Sequence, residues 1–151
     1  MGTGADDSRC TTGDPGAPRL KRLQQAHQKV TACLAEFESA GGAEAILESL
    51  EQLLELLPEH FARDEEGPDG AFAELRAIRP ALDPQLALLE GEHRQILREL
   101  EALRSQSREA GHDDASIQAQ RAACVRRIRA HEEAESRLAL ETYFLDEGGS
   151  G

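Results

Sequence analysis

Four of the five histidines in the sequence lie on apolar helical seams, where their imidazoles could bind metal ions. Each seam is a run of apolar residues spaced alternately three and four positions apart, the spacing by which one helix face packs into a bundle. The fifth histidine, His112, lies in a break between helices instead. A buried imidazole needs a polar partner, so the seam positions favour a shared metal over incidental core residues. The seam histidines are His27, His60, His93 and His131.

Two of these histidines are followed four residues later by an acid. The pairs are His60 with Asp64 and His131 with Glu135, and this separation places both side chains on one helical face. The spacing alone is a weak indication, because 29 of the 151 residues are Asp or Glu. Together with the seam positions, however, it predicts six metal ligands.

The positions of the histidines relative to the turns agree with a single metal layer. In a bundle of alternating direction, residues equally far from a shared turn lie at one level. The distances of His27 and His60 from the turn between their two helices differ by about 7 Å. Those of His93 and His131 from the turn between theirs differ by about 3 Å. The chain also repeats one order of these residues: a histidine without a following acid comes first, and a histidine followed by an acid comes next. This repeat indicates two helical hairpins around a pseudo-twofold axis, with two metals bridged by Asp64 and Glu135.

Glycine and proline residues divide the chain into the helices that must position these ligands. Breaks occur at 41–42, 67–70, 80–84 and 111–114. Between them Ala, Leu, Glu, Gln and Arg dominate, and strand-like runs of Val, Ile, Thr and Tyr are absent. The sequence therefore predicts an all-α, up-down-up-down four-helix bundle with helices at about 18–40, 43–66, 83–110 and 114–146, and a short helical segment near 71–78.

The length of 151 residues suits one domain with its own hydrophobic core. Residues 1–17 are rich in Gly, Asp, Thr and Pro without apolar periodicity, and residues 147–151 are similar. We therefore expect disordered tails at 1–17 and 147–151. The predicted bundle spans 18–146.

Charge, hydropathy and cysteine content limit the partners and the compartment. The net charge is −12, with 17 basic and 29 acidic residues, which argues against a nucleic-acid partner. No apolar segment approaches the roughly 20 residues that cross a bilayer, and the N-terminus lacks the apolar region of a signal peptide. Three cysteines without a C-x-x-C pair indicate neither a disulfide framework nor a zinc–thiolate site. We expect a cytoplasmic monomer or dimer with no membrane partner.

The segments around the seam histidines resemble those of the hemerythrin-like, or HHE cation-binding, family. The matching elements are Ala26-His27, residues 60–65, Glu92-His93 and residues 131–135. The resemblance covers about residues 18–146 and implies a non-haem di-iron centre. It would hold two irons per chain, oxo- and carboxylate-bridged, with the ligands His27, His60, Asp64, His93, His131 and Glu135. The same donors are compatible with manganese or zinc.

Departures from the family pattern bear on the expected function. Oxygen-carrying hemerythrins have a His-x-x-x-His pair on the third helix, whereas Leu89 and Leu97 flank His93 here. Four histidines with two histidine–acid pairs look more like the bacterial iron-centre repair proteins, whose centre meets nitric oxide and oxidative stress. Those proteins usually have a cysteine-bearing N-terminal domain, and this chain has a short tail with Cys10. Asp64 stands where Glu is commoner, which shortens the reach by one methylene.

The sequence supports three functional hypotheses. In the first, the di-iron centre binds or senses a small molecule such as O2, NO or peroxide, with a role in oxidative or nitrosative stress. In the second, the same centre is an enzyme that turns over peroxide or NO. In the third, the bundle is a structural or interaction module without metal. Four acids adjoin the predicted ligands, and we expect them either at the solvated surface or orienting imidazoles: Glu59, Glu65, Glu92 and Glu132.

Overall fold

The computed structural model describes residues 16–66, 70–110 and 115–145. A 3-10 turn, Pro80–Leu82, precedes the helix that begins at Asp83, and a π-helical segment, Glu141–Leu145, follows the helix that ends at Leu140. The described ranges contain no strand, so the predicted all-α fold is confirmed. The α-helices of the described ranges are α1 (Gly16–Ser39), α2 (Ala43–Glu65), α3 (Ala71–Ile78), α4 (Asp83–Ala110) and α5 (Ala115–Leu140).

The helix limits lie within two residues of the predicted ones except at the end of α5. α1 begins at Gly16, so two residues assigned to the N-terminal tail belong to a helix. The fourth predicted helix was expected to continue to residue 146, but α-helical geometry ends at Leu140. The wider π turn brings Tyr143 into an apolar cluster with α3 and α4. The rest of the predicted tails, 1–15 and 147–151, lies outside the described residues.

The four long helices pack side by side, each against two neighbours. α1 contacts α2 and α5, and α4 contacts the same two helices. Along α1 and α5 the pairs run in opposite directions, because His27 meets Ser136 and Glu38 meets Arg129. Ion pairs between α2 and α4, and between α4 and α5, show the same opposite progression. The short turn from α1 to α2 completes the predicted up-down-up-down arrangement.

The apolar core consists of two clusters on either side of the histidines. The larger cluster includes Leu34, Phe37, Leu50 and Leu100, all essentially inaccessible to solvent. Burying each such side chain stabilises the fold by about 1.5–3 kcal/mol. The smaller cluster joins α3 to the nearby ends of α4 and α5. Along α1, α4 and α5, the seam histidine lies between residues of the two clusters.

A close approach at Gly70 connects α2 to α3. A Cβ atom at this position would lie 2.7 Å from the carbonyl oxygen of Glu66 and 3.0 Å from that of Asp64. Real Cβ atoms essentially never come closer than 3.0 Å to such an atom. Gly70 therefore lets the chain pass against the end of α2 that carries Asp64. The guanidinium of Arg76 then ties α3 to α4 through Asp83 and Glu90.

None of the helices in the described part of the chain is long and apolar enough to span a membrane.

Candidate metal centre

The structure brings the four seam histidines together inside the bundle, one from each long helix. They are between 1% and 7% exposed. The rings of His27 and His60 have centroids 5.5 Å apart, and those of His93 and His131 are 4.7 Å apart. The imidazoles thus form two pairs, one from each predicted hairpin.

Glu135 lies between the two histidine pairs. Its Oε2 is 3.1 Å from Nε2 of His27, and its Oε1 is 3.0 Å from Nε2 of His93 and 2.7 Å from Nε2 of His131. One buried carboxylate therefore contacts imidazoles from three helices. The sequence predicted Glu135 as a bridging ligand, and that role stays a prediction.

Asp64, the other predicted bridge, is buried beside the centre. Its Oδ2 lies 3.5 Å from Nε2 of His93. Burial, followed by the negative charge of Glu135 and a hydrogen bond with it, raises the pKa of Asp64 to about 9. Asp64 does not belong to either of the two tight donor clusters among the described residues, so the structure places it next to those clusters.

Glu132 enters the site although the sequence did not predict it as a ligand. Its Oε2 is 2.6 Å from Nε2 of His27, and its Oε1 is 3.1 Å from Nε2 of His60. A sequence signal exists, because Ile128, Glu132, Glu135 and Ala139 recur at steps of four, three and four. These residues form a second row on α5, which shares Ile128 and Glu135 with the seam through His131.

The donor atoms form two clusters that share Glu135. Within each cluster, one atom from every residue lies within 4.8 Å of the others. Imidazole nitrogens and carboxylate oxygens in such groups suit iron, manganese or zinc. The first cluster contains His27, His60, Glu132 and Glu135, and the second contains His93, His131 and Glu135.

Three of the imidazoles are oriented by contacts at Nδ1, on the side away from the centre. An Nδ1–H that donates outward leaves the Nε2 lone pair directed at the centre, as metal-binding histidines require. Two of the partners, Glu65 and Glu92, are among the acids that adjoin ligands in sequence, whereas Glu59 pairs with Arg63 at the surface. The contacts are His27 with Ser136 Oγ at 3.0 Å, His93 with Glu65 Oε2 at 2.7 Å, and His131 with Glu92 Oε1 at 2.7 Å.

Several buried polar atoms at the centre have no hydrogen-bond partner. They approach one another closely, but not in the directions that hydrogen bonds require. A buried polar group left unsatisfied costs about 1–3 kcal/mol, and a cation among these atoms would satisfy them together. The donor set therefore fits a bound metal. The atoms are Nε2 of His60 and His131, Oδ2 of Asp64, and both carboxylate oxygens of Glu132.

Opposite charges balance one another across the site. Burial would lower the pKa of His27, but contacts with Glu132 and Glu135 outweigh it and raise the pKa to about 9. Burial would raise the pKa of Glu135, but close contacts with the imidazoles of His131, His27 and His93 hold it well below its usual range. In the metal-free protein, imidazolium protons thus compensate the buried carboxylates.

A pocket of about 250 Å³ gives access to the centre from the side of α3. His60, Asp64 and Glu135 line it where it meets the site. The rest of the lining is mostly apolar and includes Phe72 and Tyr143. The pocket therefore brings a small molecule next to residues of the centre.

The antiparallel bundle and its paired histidine–carboxylate clusters define a cation-binding helical protein. The model of one family, described as the hemerythrin HHE cation binding domain, matches residues 19–142. The chain therefore belongs to this family. No curated protein and no solved structure matches the chain in the corresponding comparisons.

Proposed function

We propose that this HHE domain holds two iron ions and binds or senses O2, NO or peroxide. The observation that carries the proposal is the position of Glu135, whose two oxygens contact both histidine pairs. One iron would be held by His27 and His60 and the other by His93 and His131. Asp64 and Glu135 would serve as the predicted bridges.

The side chains around the centre prepare it for a small ligand. Glu65 and Glu92 fix the orientation of two imidazoles, and burial keeps bulk water away from the ligand atoms. The pocket beside Asp64 admits molecules from outside. Bound iron would supply a redox-active Lewis acid with coordination positions left for a small molecule.

The choice of iron and of a stress-related role rests on the resemblance to the family and its repair-type members. The donor atoms themselves suit manganese and zinc as well. Four histidines and two histidine–acid pairs support a relation to the iron-centre repair proteins, and the role we propose is in oxidative or nitrosative stress. The net charge of −12 supports function without a nucleic-acid partner.

Metal content and colour test the proposal most directly. Wild type and His93→Ala, purified from iron-supplemented cells, would be compared by elemental analysis and ultraviolet-visible spectroscopy. We expect about two irons per chain in wild type, since each histidine pair serves one ion, and fewer in the variant. The wild-type absorption should change on exposure to O2, NO or peroxide.

His112→Ala is the matched control, because it removes a histidine that lies on no apolar seam. It should keep the wild-type iron content. A colourless wild-type protein after anaerobic iron loading and exposure to these molecules would contradict the proposal. Absence of metal from wild type and variant alike would support the structural-bundle hypothesis instead.

The pocket favours a second function, in which the same centre turns over peroxide or NO. Its volume of about 250 Å³ leaves room for a small substrate beside His60, Asp64 and Glu135. If the centre is catalytic, we expect many turnovers per centre when a reductant is supplied. Binding of the small molecule without repeated turnover would argue against an enzyme.

A further inference from the structure

We infer that Glu132 is a direct ligand of the cation held by His27 and His60, and that the two halves of the centre are therefore unequal. The inference rests on the proposed binding of two cations. It adds a seventh ligand to the six predicted from the sequence.

The geometry of Glu132 is that of a ligand placed between two imidazoles. Each of its oxygens faces a different ring, at 2.6 Å from Nε2 of His27 and 3.1 Å from Nε2 of His60. Both contacts reach Nε2, the atom that Glu135 also approaches on His27. Glu65 and Glu92, by contrast, contact Nδ1 on the far side of their rings.

The burial of Glu132 separates it from an ordinary surface acid. The residue is 8% exposed, and neither of its oxygens has a hydrogen-bond partner. Its neighbour Glu133 has a side chain that is 73% exposed and pairs with Arg137 on the surface. Burying a carboxylate without compensation is strongly unfavourable, and a cation that replaced the proton between His27 and Glu132 would compensate this carboxylate directly.

Glu132 makes the donor sets of the two halves different. Among the residues that the structure describes, the half with His27 and His60 has two carboxylates, whereas the half with His93 and His131 has Glu135 alone. Asp64, as a bridge, would add one oxygen to each half and leave the difference unchanged. The first half therefore binds its cation more tightly, and the second keeps more coordination positions for a small molecule.

Stepwise metal titration tests this inequality. Anaerobic calorimetry with Fe(II) on the metal-free wild type should resolve two binding steps of different affinity. Glu132→Gln keeps the size of the side chain but removes its charge. It should weaken the tighter step by at least about 10-fold, since even partners outside the ligand shell are worth that much. Glu133→Gln is the matched control and should leave both steps unchanged.

Variants that retain only one half of the centre show which half Glu132→Gln affects. With His93 and His131 both changed to Ala, Glu132→Gln should weaken the single remaining Fe(II) site. With His27 and His60 both changed to Ala, the same substitution should leave the remaining site unchanged. Equal effects in both backgrounds, or none in either, would overturn the inference.

Circular dichroism of the metal-free variants shows whether they fold. If Glu132→Gln unfolds, Glu132→Asp takes its place, because it keeps the charge but shortens the reach by one methylene. A weakened tighter step in this variant supports direct ligation, and an unchanged one overturns it.

The inference and the proposed function fail in different ways. A wild type that binds two Fe(II) ions while Glu132→Gln has no effect overturns the inference alone. A wild type that takes up no iron, but binds Mn(II) in two unequal steps sensitive to Glu132→Gln, supports the inference and rejects the proposed function.

Discussion

At the scale of single residues, the site is a set of ionisable groups that shift one another's pKa values. His27 and Asp64 both have pKa values raised to about 9, for opposite reasons. For His27, neighbouring carboxylates outweigh the effect of burial and stabilise the imidazolium. For Asp64, burial and the charge of Glu135 destabilise the carboxylate. Both groups therefore carry a proton at pH 7 in the absence of metal, and both must lose it to become ligands.

Metal binding at pH 7 should release at least about two protons per chain, among them one each from His27 and Asp64. The affinity should accordingly rise with pH up to about 9, because protons then compete less with the cation. Calorimetry in buffers of different ionisation enthalpy measures the release, and a titration at pH 10 is the control in which it should be small. An observed binding enthalpy that does not depend on the buffer at pH 7 would contradict this prediction.

The sequence predicted where the site lies, but it did not predict every residue whose side chain enters it. Apolar seams report which side of a helix faces the core, so the six predicted residues lie in or beside the clusters, while their roles as ligands stay predictions. Glu132 and Glu133 are both acids next to His131, and neither residue type nor adjacency distinguishes them. The rotation of α5 buries one and exposes the other.

At the scale of elements, α5 supplies several residues of the centre, and Gly70 lies against the end of α2 that carries Asp64. α5 carries His131, Glu132 and Glu135 on adjacent turns, as well as Ser136, which orients His27. The predicted helix limits followed from Gly, Pro and periodicity. The π segment at the end of α5 was missed because it depends on the packing of Tyr143 with α3 and α4, which local sequence does not encode.

Gly70→Ala should destabilise the fold by about 1–3 kcal/mol, the usual cost of forcing extra volume into a packed region. The new Cβ would meet the carbonyl oxygens of Glu66 and Asp64, so the end of α2 must move and metal content should fall. Urea unfolding and elemental analysis measure the two effects. Gly41→Ala is the control, because a Cβ there meets nothing within 4 Å. Equal stability of the two variants would show that the close approach at Gly70 is relieved without cost.

At the scale of the whole molecule, the two apolar clusters enclose a layer of polar side chains. Several buried atoms of this layer have no hydrogen-bond partner. The directions of the helices followed from the short connections, and the number of long helices followed from the breaks. The sequence did not show that α3 covers the smaller apolar cluster, because eight residues carry too little periodicity to indicate a packing partner. Because buried atoms of the layer have no hydrogen-bond partner, a bound cation would stabilise the bundle.

Removal of metal by a chelator should lower the Tm. At a free metal concentration 100 times the Kd, binding stabilises the folded state by about 2.7 kcal/mol, which corresponds to a loss of roughly 5–10 °C for a domain of this size. Thermal unfolding followed by circular dichroism measures the change. A variant with His60 and His131 both replaced by Leu should not respond to the chelator. Identical Tm values for wild type with and without chelator would indicate that the layer is stable without a cation.

Glu135 also closes the chain into loops of very different size. Its contact with His93 joins residues 42 positions apart, and its contact with His27 joins residues 108 positions apart. The entropy of loop closure rises slowly with length, so the two loops differ by less than about 1 kcal/mol. Their topology differs more, because the longer loop encloses α2, α3 and α4 between α1 and α5. A fluctuation that detached α1 from a loaded bundle would have to break bonds to the cation as well as apolar contacts, so a bound metal would secure α1 to α5.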